Sequence, residues 1–279
     1  MTLVTRFAPS PTGYLHRGHA YSALTAFEAA RAAGGRFILR IEDIDATRCR
    51  PEYDAAILED LAWLGLRWEE PIRRQSQHLA DYEAAIASLR DRGLVYRCFK
   101  TRKEIDIGRA PHEPAVAYVG APLDTAEEAE RLARGEPFAW RLSLAAARDA
   151  LGGFDHLTFV EEGVDGSSPR TVQAQPETAG DIVLARKDVG VAYHLAVVHD
   201  DALQGVTHVI RGEDLFEATH IQRLLQALLG LPTPIYRHHG LLTGPDGKRY
   251  AKRDKAQTLR ELRGTGVGAQ DLRAELGFS

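Results

Sequence analysis

Apolar and polar positions follow one another along this chain in blocks of changing period, and each change marks an element. Residues 3–7 form a short apolar run leading into a turn with prolines at 9 and 11 and glycines at 13 and 18. Beyond it Ala20, Leu24 and Phe27 recur at helical spacing, which predicts a helix with one apolar face. Residues 37–41 are nearly all apolar, as expected of a strand buried in a parallel sheet. Pro51 suits the first turn of a helix that Ile57, Leu58, Leu61 and Leu64 continue and Gly65 stops. A second helix is predicted over 79–92, with Tyr82, Ile86 and Leu89 aligned and Gly93 at its end.

From about 95 to 178 the pattern loosens. A proline-rich stretch, a short charged helix over 127–134 and turns at 152–153 and 163–169 predict an inserted α+β module. The alternating pattern then resumes. Residues 193–198 read as an apolar strand ending at His199, Asp200 and Asp201, and 207–210 as another ending at Arg211. A helix with Ile221, Leu224, Leu225 and Leu228 on one side ends at Gly230, and 235–242 supply a last apolar segment. Together these predict an open parallel sheet split by an insertion. In such sheets ligands gather beyond the carboxyl ends of the strands. Arg6, Glu42, Asp200 and Arg211 fall at such ends, and His16 and His19 just past the first strand.

Composition narrows the classes. The chain has 279 residues, 44% of them hydrophobic, enough for a core and too many for a disordered chain. The net charge of −4 excludes a general polyanion binder, so a nucleic-acid partner needs a local basic patch. The two cysteines, Cys49 and Cys98, fit a reducing compartment. No apolar run resembles a signal peptide or approaches the roughly 20 residues of a membrane helix, so a cytoplasmic location is expected.

The residues suggest a chemistry. Arg6 and Arg211 offer planar forks for carboxylates and Glu42 a partner for an ammonium group, a set that fits an acidic amino acid. The two histidines at a helix mouth suit a nucleotide phosphate. Five cations between Lys248 and Lys255 suit a polyphosphate. Attack of an amino-acid carboxylate on the α-phosphorus of ATP needs positioning and charge stabilisation, not a side-chain nucleophile.

These residues resemble the class I aminoacyl-tRNA synthetases of the glutamyl group. The segment Arg6-Phe7-Ala8-Pro9-Ser10-Pro11-Thr12-Gly13, with His16-Arg17-Gly18-His19, is similar to that family's HIGH motif. Residues 41–45, 60–66, 74–76, 195–201 and 209–214 resemble further family stretches, and Arg249-Tyr250-Ala251-Lys252-Arg253 stands where KMSKS would be. The resemblance implies a Rossmann-like catalytic domain over 1–95 and 179–242. An acceptor-type α+β subdomain over 96–178 would interrupt it, and a KMSKS-like loop with a short helical region would follow over 243–279.

It further implies that Arg6, Ala8, Ser10, Glu42, Tyr193 and Arg211 hold glutamate. His16, Gly18, His19, Arg249 and Lys252 would hold ATP, with His16, His19 and Lys252 catalytic and Mg2+ expected. The chain stops soon after the KMSKS-like loop, as in the shorter glutamyl-Q tRNA(Asp) synthetases. Those paralogues transfer activated glutamate to a queuosine base in the anticodon stem-loop of tRNA(Asp), here by a protein expected to be monomeric. A minimal glutamyl-tRNA synthetase and an inactive nucleotide- or RNA-binding paralogue are the other readings. The chain departs from the family at Arg249 and Ala251, and in carrying a second histidine, His19. At the family's zinc site Cys98 and Tyr118 remain but Lys100 and Pro122 stand where cysteines would fall. Lysine as a cation and proline without a donor ligate no metal, so no zinc is expected.

Overall fold

The computed structural model describes residues 2–105, 117–163, 168–186, 190–242 and 257–279. The first half runs β1 (Val4–Phe7), α1 (Arg17–Ala32), β2 (Arg36–Ile41), α2 (Pro51–Trp63), β3 (Arg73–Arg74) and α3 (Leu79–Asp91). Next come β4 (Val95–Cys98), α4 (Arg102–Ile105), α5 (Thr125–Ala133), β5 (Ala139–Leu142), α6 (Leu144–Leu151), β6 (Thr158–Glu161), β7 (Arg170–Gln173), β8 (Val183–Arg186) and β9 (Gly190–Val191). The chain closes with α7 (Tyr193–Leu203), β10 (His208–Gly212), α8 (Phe216–Leu229), β11 (Ile235–His239), α9 (Leu259–Gly264) and α10 (Ala269–Glu275).

The parallel sheet expected from the sequence is present. β1 pairs with β2 and β2 with β3, all parallel, with Arg6 opposite Ile38. On the other side of β1 the Thr207 amide donates to the Val4 carbonyl at 3.0 Å, which seats β10 alongside. β10 and β11 are parallel, with Arg211 opposite His238. Helix α1 lies close on this sheet because its buried stripe is mostly alanine: Ala20, Ala23, Ala26 and Ala30 surround Leu24. The Thr5 hydroxyl donates to the Ala26 carbonyl at 2.8 Å, so helix and strand also share a hydrogen bond. Full burial of Leu24 contributes about 2 kcal/mol. Gly65, at φ +82°, ends α2 in a left-handed conformation that a side chain would strain.

Three features differ from the sequence expectation. Residues 193–198 are not a strand but the start of helix α7. Leu195, Ala196, Val197 and Val198 are all buried because α7 packs against α3 on one side and α8 on another. A helix buried all round has no polar stripe, and a short apolar run then cannot be told from a strand. The sheets also cross the boundaries expected at 95/96 and 178/179. The hairpin β6–β7 joins the parallel sheet through Tyr236 of β11 and Glu161 of β6, while β4, β5, β8 and β9 form a separate antiparallel sheet. Finally, α9 and α10 are part of the core: Leu259, Leu262 and Leu272 pack with Leu24 and Ile57.

Candidate active site

The turn after β1 is clamped onto the end of β2. The Glu42 amide donates to the Pro9 carbonyl and the Arg50 amide to the Pro11 carbonyl, each at 3.0 Å. The prolines leave those carbonyls as acceptors while fixing the path between them. Beside the turn lies a cavity of about 500 Å3 lined by Arg6, Ala8, Ser10, Glu42, Tyr193 and Arg211, with His19 reaching it from α1. These residues come from β1, its turn, β2's end, α7 and β10.

His16 and Gly18 sit at the mouth of α1. The His16 Nδ1 accepts from the Gly18 amide at 3.1 Å, and the His16 amide donates to the His19 Nδ1 at 3.2 Å. With both Nδ1 atoms acting as acceptors, the hydrogen-bond pattern assigns the proton of each neutral ring to Nε2. A Cβ at 18 would lie 3.0 Å from the His16 Cε1, so any larger residue there would push the His16 ring aside. The first-turn amides and the helix dipole favour an anion at this end. Arg249 and Lys252 lie outside the described residues.

Beneath the cavity is a buried charge network that the sequence reading missed in part. The Arg6 Nε donates to Asp201 at 3.2 Å and its Nη1 to the Ile210 carbonyl at 3.4 Å. Arg40, fully buried, donates to Asp201 at 2.8 Å, Glu42 at 3.2 Å and Gln204 at 2.9 Å. Burial works against the charge of Arg40, but Asp201, Glu42 and Asp200 outweigh it and hold the guanidinium charged. Burial likewise pushes the Glu42 carboxyl above its ordinary value, against the pull of Arg40 and Arg6. A lone arginine within the apolar run 37–41 was a signal for this role, since an unpaired charge is not buried. Asp200 does not join the cavity. Turned toward α3, it accepts from Arg73 at 2.9 Å, Gln75 at 3.0 Å and Tyr82 at 2.7 Å. Its neighbour Asp201 takes the place that a strand reading gave to Asp200.

Arg211 is held differently. Its Nε donates to the His238 Nε2 at 3.1 Å and its Nη2 to Thr219 at 2.7 Å and the Leu215 carbonyl at 3.1 Å. Its guanidinium also lies 5.4 Å from the Tyr236 ring centroid. His238 can accept at Nε2 because its Nδ1 faces Glu161 at 2.8 Å. Burial lowers His238 below its ordinary value despite that carboxylate, so the ring stays a neutral acceptor. The Nη1 of Arg211 is buried and, among the described residues, has no hydrogen-bond partner. Burial and the charge of Arg211 bring the nearby His194 down to about 4, so it adds no second cation. Burial raises the Tyr193 phenol and keeps it neutral. The site can therefore receive an anion at Arg211 and a cation at Glu42.

A second cavity of about 200 Å3 shares Ser10, Glu42 and Tyr193 with the first and extends to Gln75, Arg186 and Val191. Farther off, in the antiparallel sheet, the Cys98 Sγ lies 3.8 Å from the Tyr118 hydroxyl. The Lys100 ammonium lies 5.8 Å from the Tyr118 ring centroid, where a metal's positive charge would be repelled. With Pro122 as the remaining position, this donor set does not fit zinc. Among the described residues no helix is long and apolar enough to cross a membrane.

Comparison with known proteins supplies the family. Residues 2–276 match the family described as tRNA synthetases class I (E and Q), catalytic domain. The chain is 47% identical to the glutamyl-Q tRNA(Asp) synthetase of Rhodobacter capsulatus, covering 99% of this chain and 100% of that one. It is 44% identical to the enzyme of the same name from Nocardia farcinica, covering 97% of this chain and 82% of the relative. With glutamate–tRNA ligase 2 of Dinoroseobacter shibae it shares 41% identity, over 61% of that protein. The glutamate-tRNA synthetase structure from Elizabethkingia anophelis superposes with a TM-score of 0.75 at 30% identity. The match covers 91% of this chain and 53%, about half, of that one.

Proposed function

The chain belongs to the class I tRNA synthetases for glutamate and glutamine, and on that premise we propose that it activates glutamate with ATP and transfers the glutamyl group to the queuosine base in the anticodon of tRNA(Asp). The reading draws support from relatives of that name that match along nearly the whole chain. In the site, the observation that carries it is the buried, unpartnered Nη1 of Arg211. A buried cationic donor left unpaired is costly, and a substrate carboxylate answers it.

In this reading Arg211 and Arg6 take the two carboxylates of glutamate and Glu42 its ammonium group, with Ala8, Ser10 and Tyr193 around them. His16, Gly18 and His19 take ATP at the mouth of α1, while Arg249 and Lys252 take the triphosphate with its Mg2+. A carboxylate oxygen of glutamate attacks the α-phosphorus, the bond to the bridging oxygen breaks, and pyrophosphate leaves. The acceptor group on the base then attacks the carbonyl of the glutamyl-adenylate, an acyl bond forms, and AMP leaves. The protein supplies position and fixed charge.

Exchange of pyrophosphate into ATP is expected with glutamate and no tRNA, and labelled glutamate is expected on tRNA(Asp) only when it carries queuosine. Label confined to a tRNA 3′ end overturns the reading. We also propose a monomeric, cytoplasmic protein without structural zinc. Elemental analysis is expected to find no stoichiometric zinc, and one zinc per chain would contradict this.

A further inference from the structure

A third cavity, of about 370 Å3, lies between the exposed edge of α3 and one face of the antiparallel sheet. Its floor is aromatic: the Phe138 and Trp140 rings meet edge to face at 5.5 Å. Arg97, opposite Trp140 in the β4–β5 ladder, holds its guanidinium 4.6 Å from the Trp140 ring centroid. Arg90, paired with Asp91 at 3.0 Å, and Arg186 lie on the rim with Glu83, and Leu79 stands 42% exposed at the edge. The glutamate site uses none of these residues. The groove is nevertheless continuous with that site, because Arg186, Gly190 and Val191 line both it and the 200 Å3 cavity beside Glu42 and Tyr193.

We propose that this groove is a nucleobase subsite: it takes an unpaired base flanking the acceptor nucleoside in the loop of the tRNA. The inference rests on the transfer function proposed above and adds to it the surface that holds the RNA. Three observations favour RNA as the occupant. The groove is of ligand size. Its aromatic rings are what an unstacked base packs against, and the Arg90 and Arg186 side chains at its rim can reach a flanking phosphate. It also leads directly into the cavity next to the proposed adenylate. A loop nucleoside reaching the glutamyl group through the 200 Å3 cavity leaves its chain neighbour within reach of Phe138 and Trp140.

The test uses the full chain, a queuosine-containing anticodon stem-loop of tRNA(Asp), and the same stem-loop with the base on either side of queuosine replaced by an abasic unit. The variants are Phe138→Ala, which removes part of the floor, and Ala87→Trp, which fills the groove from α3 without touching the floor. Both are expected to keep tRNA-independent pyrophosphate exchange within about twofold of the parent, which also establishes that they fold. In transfer, both are expected to raise the KM for the stem-loop about tenfold, the scale of one lost base stack. One of the two abasic loops is expected to show the same increase with the parent protein and no further increase with Phe138→Ala. Transfer undiminished in both variants overturns the groove assignment and leaves the function standing. Pyrophosphate exchange by the parent without any transfer to queuosine overturns the function, and the assignment with it.

Discussion

Arg40 on β2 and Arg211 on β10 are both buried in the parallel sheet, yet their charges are answered in different ways. Arg40 faces three carboxylates, Asp201, Glu42 and, at 3.9 Å, Asp200, and its charge is neutralised inside the protein. Among the described residues Arg211 is gripped by neutral acceptors, the His238 ring, the Thr219 hydroxyl and the Leu215 carbonyl, and by no carboxylate. The first arrangement stabilises a fold. The second orients a cation without neutralising it, which is what the proposed glutamate site requires. The identity of the side chain and its burial are the same, so the function lies in the partners.

The contrast can be broken most directly at Arg40. Arg40→Met leaves Asp201 and Glu42 buried without their common partner and is expected to lower stability to urea by about 3–5 kcal/mol. An unchanged urea midpoint would place Arg40 on the same footing as Arg211. Arg211→Ala should do the opposite: stability changes by about 1 kcal/mol or less, while the KM for glutamate in pyrophosphate exchange rises at least ~30-fold, about 2 kcal/mol or more.

Asp60 sharpens the comparison from the other sign of charge. It is fully buried in α2, both its carboxylate oxygens lack hydrogen-bond partners among the described residues, and Arg263 of α9 comes to 3.6 Å. Burial pushes its carboxyl up to about 6. A carboxyl raised in the folded state binds its proton more tightly there than in the unfolded chain. The stability this confers is full below about pH 4 and is lost as the pH rises through about 6. Asp60→Asn is expected to flatten that dependence and to stabilise the protein by roughly 2 kcal/mol at pH 8. A parent whose urea midpoint is flat over this range would show that the charge is answered after all. The smallest effect is expected at His238. His238→Ala removes one acceptor from Arg211 and should raise the glutamate KM about fivefold, near 1 kcal/mol, with kcat little changed. His238→Gln, which can still accept, should recover most of it, and no recovery would mean that His238 only fills space.

Much of this was legible beforehand where the signal is local. The helices α1, α2, α3 and α8 follow from apolar spacing and glycine stops, and Arg6, Glu42 and Arg211 stood out as charges at the ends of apolar runs. Helix α7 was not legible, because burial on all sides removes the amphipathic period. That one misreading exchanged Asp200 for Asp201, since adjacent residues on a helix diverge by about 100°. Arg40 was visible as a charge inside an apolar run, but its purpose was not, because its partner Asp201 lies 161 residues away. The pairing of β6 with β11 escaped for the same reason. A strand's apolar pattern states that it is buried and not beside which neighbour.

By itself, then, the sequence determined the helices α1, α2, α3 and α8, the strands β1 and β2, the turn from Pro9 to His19, and the charged residue types that the proposed function assigns to glutamate and ATP. These depend on propensity, period and spacing along the chain, which are set within a few residues. Only the tertiary structure decided which of the buried arginines is neutralised and which remains open to a ligand. That distinction depends on groups brought to 2.8–3.1 Å of one another by packing across the sheet, and it was settled when Asp201 came to Arg40 and His238 to Arg211.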